Sequence, residues 1–282
     1  MLLYYHSMEQ LTRLLICYKT LVMTLFYLKK NFFDGWDNLF TILAQNVIMY
    51  VVVIGGYFLV GTVVDYPAVA IPLLLLLGIL LSILMFSVSA CSAKMVNYKA
   101  VPVKEVFQHI PSVWKDAVLF ALVVMGLLFI TSMAVPFYLR MGNLLGIALA
   151  TVIFWIAFVS ILAFQWFLPL YSQLGGGFKK TLKKSYILFF DNTFFSVFMG
   201  FYSFFLFVFS VVLIFLAPGI AGIILAHNNA LKLRMYKYDW LEQHPEISMK
   251  EARKHIPWDE LVAEDNETLG PRNLRSFIFP WK

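Results

Sequence analysis

Charge is scarce in this sequence. Only 13% of its 282 residues are Asp, Glu, Lys or Arg, while 61% are hydrophobic. An average globular domain is about a quarter charged, and a water-soluble fold of this length has too much surface to cover with so few charges. Cysteine is scarcer still: Cys17 and Cys91 fall in separate regions and predict no disulfide. The five histidines (His6, His109, His227, His244, His255) show no metal-type spacing and have no cysteine pair beside them. Neither G-x-S-x-G nor H-E-x-x-H occurs. One stretch hints at phosphate chemistry, "LGGGFKKTLKKSY" at Leu174–Tyr186. A phosphate-cradling loop needs glycine directly before its Lys-Thr and another five residues earlier. Lys179 and Leu174 occupy those positions. The expectation is a protein without an enzymatic site, cofactor, metal or nucleic-acid partner.

Uninterrupted apolar sequence is what the chain has in quantity. No charge occurs between Asn38 and Asp65, from Tyr66 to Ala93, from Ala117 to Leu139, from Met141 to Phe178, or from Asn192 to Leu231. Apolar runs of about 20 residues are the signature of bilayer spans. The sequence therefore reads as an all-α polytopic membrane protein. It should have about six transmembrane helices in three hairpins, over 39–64, 67–91, 117–139, 144–171, 194–216 and 219–232, within a transmembrane domain 31–237. The last pair rests on Phe194 to Leu231, about 57 Å as helix, with Pro218-Gly219 turning the chain. Five spans with an external tail is the alternative. Residues 1–30 read as a leader, or as an interfacial helix over roughly Leu14–Tyr27, with no small-residue cleavage site. The sequence leaves open whether residues 1–22 belong to the mature protein.

Lys and Arg alternate loop by loop. Four stand before the first span (Arg13, Lys19, Lys29, Lys30), four between Lys94 and Lys115, four at Lys179, Lys180, Lys183 and Lys184, and three after the last (Lys232, Arg234, Lys237); the intervening turns hold only Arg140. Cytoplasmic loops carry such an excess, so both termini are expected in the cytoplasm and the protein in a bacterial inner membrane. The lysines of the opening stretch are candidate contacts for anionic headgroups, each worth on the order of 1 kcal/mol. Phe178, Leu182 and Tyr186 give the same segment an apolar stripe, as in a helix lying in the interface.

Three similar entries precede spans one, three and five: Trp36-Asp37-Asn38, Trp114-Lys115-Asp116 and Phe190-Asp191-Asn192. Each follows an amphipathic stretch, which suggests three units of interfacial helix plus hairpin. None of the spans has a central Asp, Glu, Lys or Arg, which argues against an ion-coupled transporter. The polar residues Gln45, Asn46 and Gln165 either fix helix packing or line a polar seam for a neutral substrate. The tail 238–282 holds nine acidic and six basic residues. Ser248 and Glu251 match a capping box, and Phe277, Phe279 and Trp281 form an apolar cluster suited to the headgroup layer or to a soluble partner's groove.

"FFDGWDNLFTILAQNVIMYVVV" at Phe32–Val53 and "VKEVFQHIPSVWKDAVLFAL" at Val103–Leu122 resemble the YesL family of small bacterial integral membrane proteins, over roughly residues 25–237. The resemblance implies a non-enzymatic accessory protein associated with a carbohydrate uptake system and assigns no active-site residue. A transporter or lipid-handling protein for a neutral or amphipathic substrate is the alternative. Substrate, partner and oligomeric state are not named by the sequence.

Overall fold

The structure is a computed structural model that describes residues 21–246 and 256–272. The expectations placed on 1–20, on the capping box within 247–255 and on Phe277, Phe279 and Trp281 lie outside the described residues. The described chain is helical with no strand. Its main helices are α1 (21–37), α2 (Leu39–Val63), α3 (Pro67–Met95), α4 (Glu105–Arg140), α5 (Leu144–Phe164), α6 (Phe167–Leu174), α7 (Phe178–Asp191), α8 (Thr193–Val212) and α9 (Gly219–Gln243). Two short helices follow, Trp258–Leu261 and Ala263–Leu269.

Five helical stretches are long and apolar enough to cross a membrane: α2, α3, α4, Leu144–Leu174 (α5 with α6) and α8. The chain is thus an all-α polytopic membrane protein. Hydrocarbon offers no hydrogen bonds, so a spanning backbone must satisfy itself as helix. Only 6% of the apolar window of α4 is buried inside the protein. Its Leu128, Phe129, Ile130 and Met133 are exposed, which is a favourable arrangement only with lipid as the solvent.

The chain forms two compact units. One is Asn38–Asn228; the other joins Met1–Asp37 to Asn229–Lys282. Helix α9 contributes its first turns to one and the rest to the other.

In the Asn38–Asn228 unit, α2–α3 and α4–α5 are antiparallel hairpins that turn near Asp65 and at Gly142-Asn143. Asn143 caps α5 by accepting from Gly146 N at 2.8 Å. Ser82 Oγ donates to Ala117 O at 2.8 Å and ties α3 to α4. Phe86, Phe120 and Phe167 pack together from α3, α4 and α6, the last two stacked with centroids 4.4 Å apart. The amphipathic stretch before the third span does not form a separate helix. It is continuous with the span in the 36 residues of α4, which carry Pro111 near the start. The expected threefold entry is therefore realised twice as a joint. α1 meets α2 at Asn38, and α7 meets α8 at Asn192, each a single non-helical residue whose carbonyl still accepts from the fourth residue on, Ile42 and Ser196. At the third place, Asp116 lies inside α4.

The third hairpin differs most from expectation. The sixth span, 219–232, is the first part of α9, which runs on to Gln243 and is not among the five stretches apolar enough to cross. Its first half is enclosed: Ala221, Ile224 and Leu225 belong to the same core as Ile42, Met49 and Phe86. The α8–α9 turn lies against α2 well short of the α2–α3 turn. It is held by Asn46, which stands about 25 Å along α2 from Val63 at 1.5 Å per residue.

Candidate functional site

Asn46 is fully buried, and three of the four hydrogen-bonding positions of its amide are used. Nδ2 donates to Leu216 O at 2.9 Å and Pro218 O at 2.8 Å, and Oδ1 accepts from Ala221 N at 2.9 Å. One side chain thus closes the C-terminal side of the turn and caps the first turn of α9. Ser210 Oγ adds a fourth bond by accepting from Gly219 N at 2.9 Å. Non-helical backbone at membrane depth is tolerated only where protein or water satisfies it, and these bonds meet that need. Gly219 is required twice over. Its φ is +61°, and a Cβ there would stand 2.3 Å from Asn46 Nδ2. Ile214 and Phe215 also take positive φ in this turn, a strained state for large side chains.

The other two seam residues have different surroundings. Gln45 is fully buried, and neither of its amide atoms finds a partner among the described residues. Gln165 lies against Gly200 of α8 and donates at 3.4 Å to Leu162 O, while its Oε1 is buried and unpaired. A cleft of about 760 Å³ opens between α2 and α3. Its lining includes Val52, Gly56, Tyr57, Leu74, Leu77 and Leu81, and none of the three seam residues borders it.

A polar knot that the spacing of residues did not reveal joins α3, α6 and α9. Ser89 Oγ and Ser172 Oγ are 2.9 Å apart, Asn228 Nδ2 donates to Ser89 Oγ at 3.1 Å, and Gln173 Nε2 donates to Asn228 Oδ1 at 3.0 Å. One residue earlier, His227 Nε2 and Ser203 Oγ are 2.8 Å apart, linking α9 to α8. The polar run His227-Asn228-Asn229 is the sequence signal for both, though it names no partner.

On α7 the buried stripe is Thr181, Ser185, Leu188 and Phe189; Phe178, Leu182 and Tyr186 flank it half-buried. The expected apolar stripe is therefore one position out of register. The hydroxyls of Thr181 and Ser185 bond to carbonyls one turn back, Gly177 O and Thr181 O, both at 2.9 Å. They are satisfied within the helix and pack as small apolar residues would. Lys179, Lys180 and Lys183 are exposed and Lys184 half-exposed.

The second unit concentrates buried charge. Lys30 Nζ lies 3.0 Å from Asp34 Oδ2 and 4.0 Å from Asp265 Oδ1. Asp265 also receives Lys232 Nζ at 2.9 Å and the Tyr236 hydroxyl at 3.0 Å. One carboxylate from helix Ala263–Leu269 thus gathers groups from α1 and from the second half of α9. Burial pulls the Lys30 ammonium below its ordinary pKa, against the raising fields of Asp34 and Asp265. Burial likewise pushes the Asp34 carboxyl up, against Lys30. Burial, helped by the Asp265 charge, also pushes the Tyr236 phenol up. Arg272 makes a two-pronged contact to Asp37 at 2.9 and 2.8 Å, and Arg234 lies over the Trp258 ring.

Among the described residues no group of three or more His, Cys, Asp or Glu is placed to hold a metal ion. Comparison of the chain with family models, with curated proteins and with solved structures gives no match.

Proposed function

We propose that the protein is a non-enzymatic accessory or assembly component of a bacterial inner membrane, working beside a carbohydrate uptake system as the YesL resemblance implies. The supporting observation is Asn46. Both polar atoms of this buried amide are engaged by the protein's own backbone, so Asn46 organises helices and is not presented to a substrate. The alternating basic loops support both termini lying in the cytoplasm. On that topology α2–α3 and α4–α5 cross fully, while α8–α9 enters and leaves by the cytoplasmic face with its turn at the level of Asn46.

The second reading, a transporter for a neutral or amphipathic substrate, draws on the unpaired amide of Gln45 and the unpaired Oε1 of Gln165. Reconstitution alone in liposomes separates the two. Release of entrapped neutral sugars should match empty liposomes. Protein-dependent release that disappears with Gln45→Leu or Gln165→Leu would replace the accessory reading with transport.

A further inference from the structure

Helix α7 sits between two stretches long and apolar enough to cross a membrane, the first ending at Leu174 and the second beginning at Thr193. One face of α7 is fixed. Tyr186 OH donates to Ser160 Oγ of α5 at 2.7 Å, its ring meets Phe164, and Phe178 packs on Phe167 with centroids 5.4 Å apart. The opposite face is therefore presented in a set direction. Along it the exposed residues are Lys180, Lys183, Ile187 and Phe190, and Phe194 continues the row beyond the joint at Asn192. The spacing of three and four keeps the four α7 residues on one stripe, and Phe194 follows at the start of α8.

This stripe changes character once. Its first part is cationic, with Lys179 and Lys184 beside it, and these four lysines pair with no carboxylate among the described residues. They occupy the first two turns of α7, where the helix dipole disfavours cations, and no acidic residue stands in the first turn. Its second part is wholly apolar, and Phe194 is 94% exposed. A ring so exposed is stable in hydrocarbon and unfavourable in water. The boundary between headgroup and acyl chain thus falls between Lys183 and Ile187, about one turn of helix.

We infer that this face of α7 is a binding site for an anionic glycerophospholipid. The headgroup phosphate lies among Lys180, Lys183 and Lys184, and the acyl chains run along Ile187, Phe190 and Phe194. The inference rests on the membrane fold and not on the accessory reading. Two features set it apart from the general attraction of basic loops to a membrane. The lysines share one stripe with the apolar residues, and the packing of Tyr186 and Phe178 fixes their orientation.

The test uses the full-length protein in mild detergent with equimolar phosphatidylglycerol and phosphatidylcholine of identical chains, and counts retained lipids by native mass spectrometry. The unaltered protein should retain phosphatidylglycerol in preference. Lys180→Gln with Lys183→Gln should lower that preference roughly 25-fold, since each lysine near an anionic surface is worth on the order of 1 kcal/mol, about a factor of five. Lys180→Arg with Lys183→Arg should preserve it. Lys99→Gln with Lys104→Gln, at exposed lysines of another connection, should leave it within about twofold. No preference in the unaltered protein, or an equal loss from the Lys99 and Lys104 pair, overturns the site. The substituted side chains are at the surface, and an unchanged melting temperature excludes loss of fold as the cause.

Discussion

Neighbouring residues Gln45 and Asn46 are both buried amides, and the structure gives them opposite energetics. Asn46→Leu leaves Leu216 O and Ala221 N without their Asn46 partner, while Pro218 O keeps its bond from Gly222 N at 2.9 Å. An interhelical side-chain hydrogen bond averages only about 0.6 kcal/mol, but each buried backbone group left unpaired costs about 1–3 kcal/mol. With two such groups, the substitution should cost at least about 2 kcal/mol. That corresponds to roughly 4 °C or more in detergent melting for a unit of this size. Gln45→Leu removes two buried atoms that have no partner among the described residues, so melting should be unchanged or higher. Equal losses from the two substitutions would show that Gln45 has a partner, such as a bound water, and that Asn46 is an ordinary packing residue. The pair looked alike in the sequence because residue type and neighbourhood were all it offered. Asn46's partners are backbone groups of Leu216, Pro218 and Ala221, and no side-chain pattern announces a backbone acceptor.

At the scale of elements, the sequence was a good guide where a signal was local and long. The two outer hairpins, the Asn38 and Asn192 joints and the turn at Pro218-Gly219 all lie where charge-free runs, aromatic entries or a Pro-Gly pair marked them. The amphipathic helix α7 was legible too, though its register was not, because Thr181 and Ser185 hide their hydroxyls within the helix and bury as small apolar residues do. In the third hairpin α8 matches its expected span, while α9 is not among the stretches apolar enough to cross. Length and hydropathy measure how far a helix reaches, and say nothing of the depth at which its turn is anchored. This yields a labelling test. Cysteine at Asp65, in the α2–α3 turn, should react with an impermeant maleimide in intact cells. Cysteine at Leu216 should not react, even though both are turn positions. Cysteine at Lys180 should react only after permeabilisation. Labelling of position 216 from outside would restore a full sixth crossing.

For the whole molecule, the ionic cluster is the part that sequence reasoning passed over. Lys30 and Lys232 were counted as topological charges and Asp265 as one of nine acidic residues in a solvated tail; 235 positions separate Lys30 from Asp265. In the fold these residues bind the unit made from both ends of the chain. Breaking a buried pair by removing one partner costs about 3–5 kcal/mol. Asp265→Ala should therefore open that unit selectively. Trypsin should begin to cut after Lys30, which is fully buried in the intact protein, while the melting of the Asn38–Asn228 unit stays the same. Unchanged resistance at Lys30 would mean that apolar packing, through residues such as Tyr27 and Trp258, holds the ends together without the charges. The Asn46 clamp carries one more consequence, for biogenesis. Its amide and the Leu216 carbonyl it binds are 170 positions apart in the chain. At a synthesis rate of about 5–20 residues per second, α2 leaves the ribosome roughly 10 s or more before the peptide it will hold exists. An unpaired side-chain amide is disfavoured in hydrocarbon, so the nascent α2 carries that cost until the last hairpin to be made supplies the partners of Asn46.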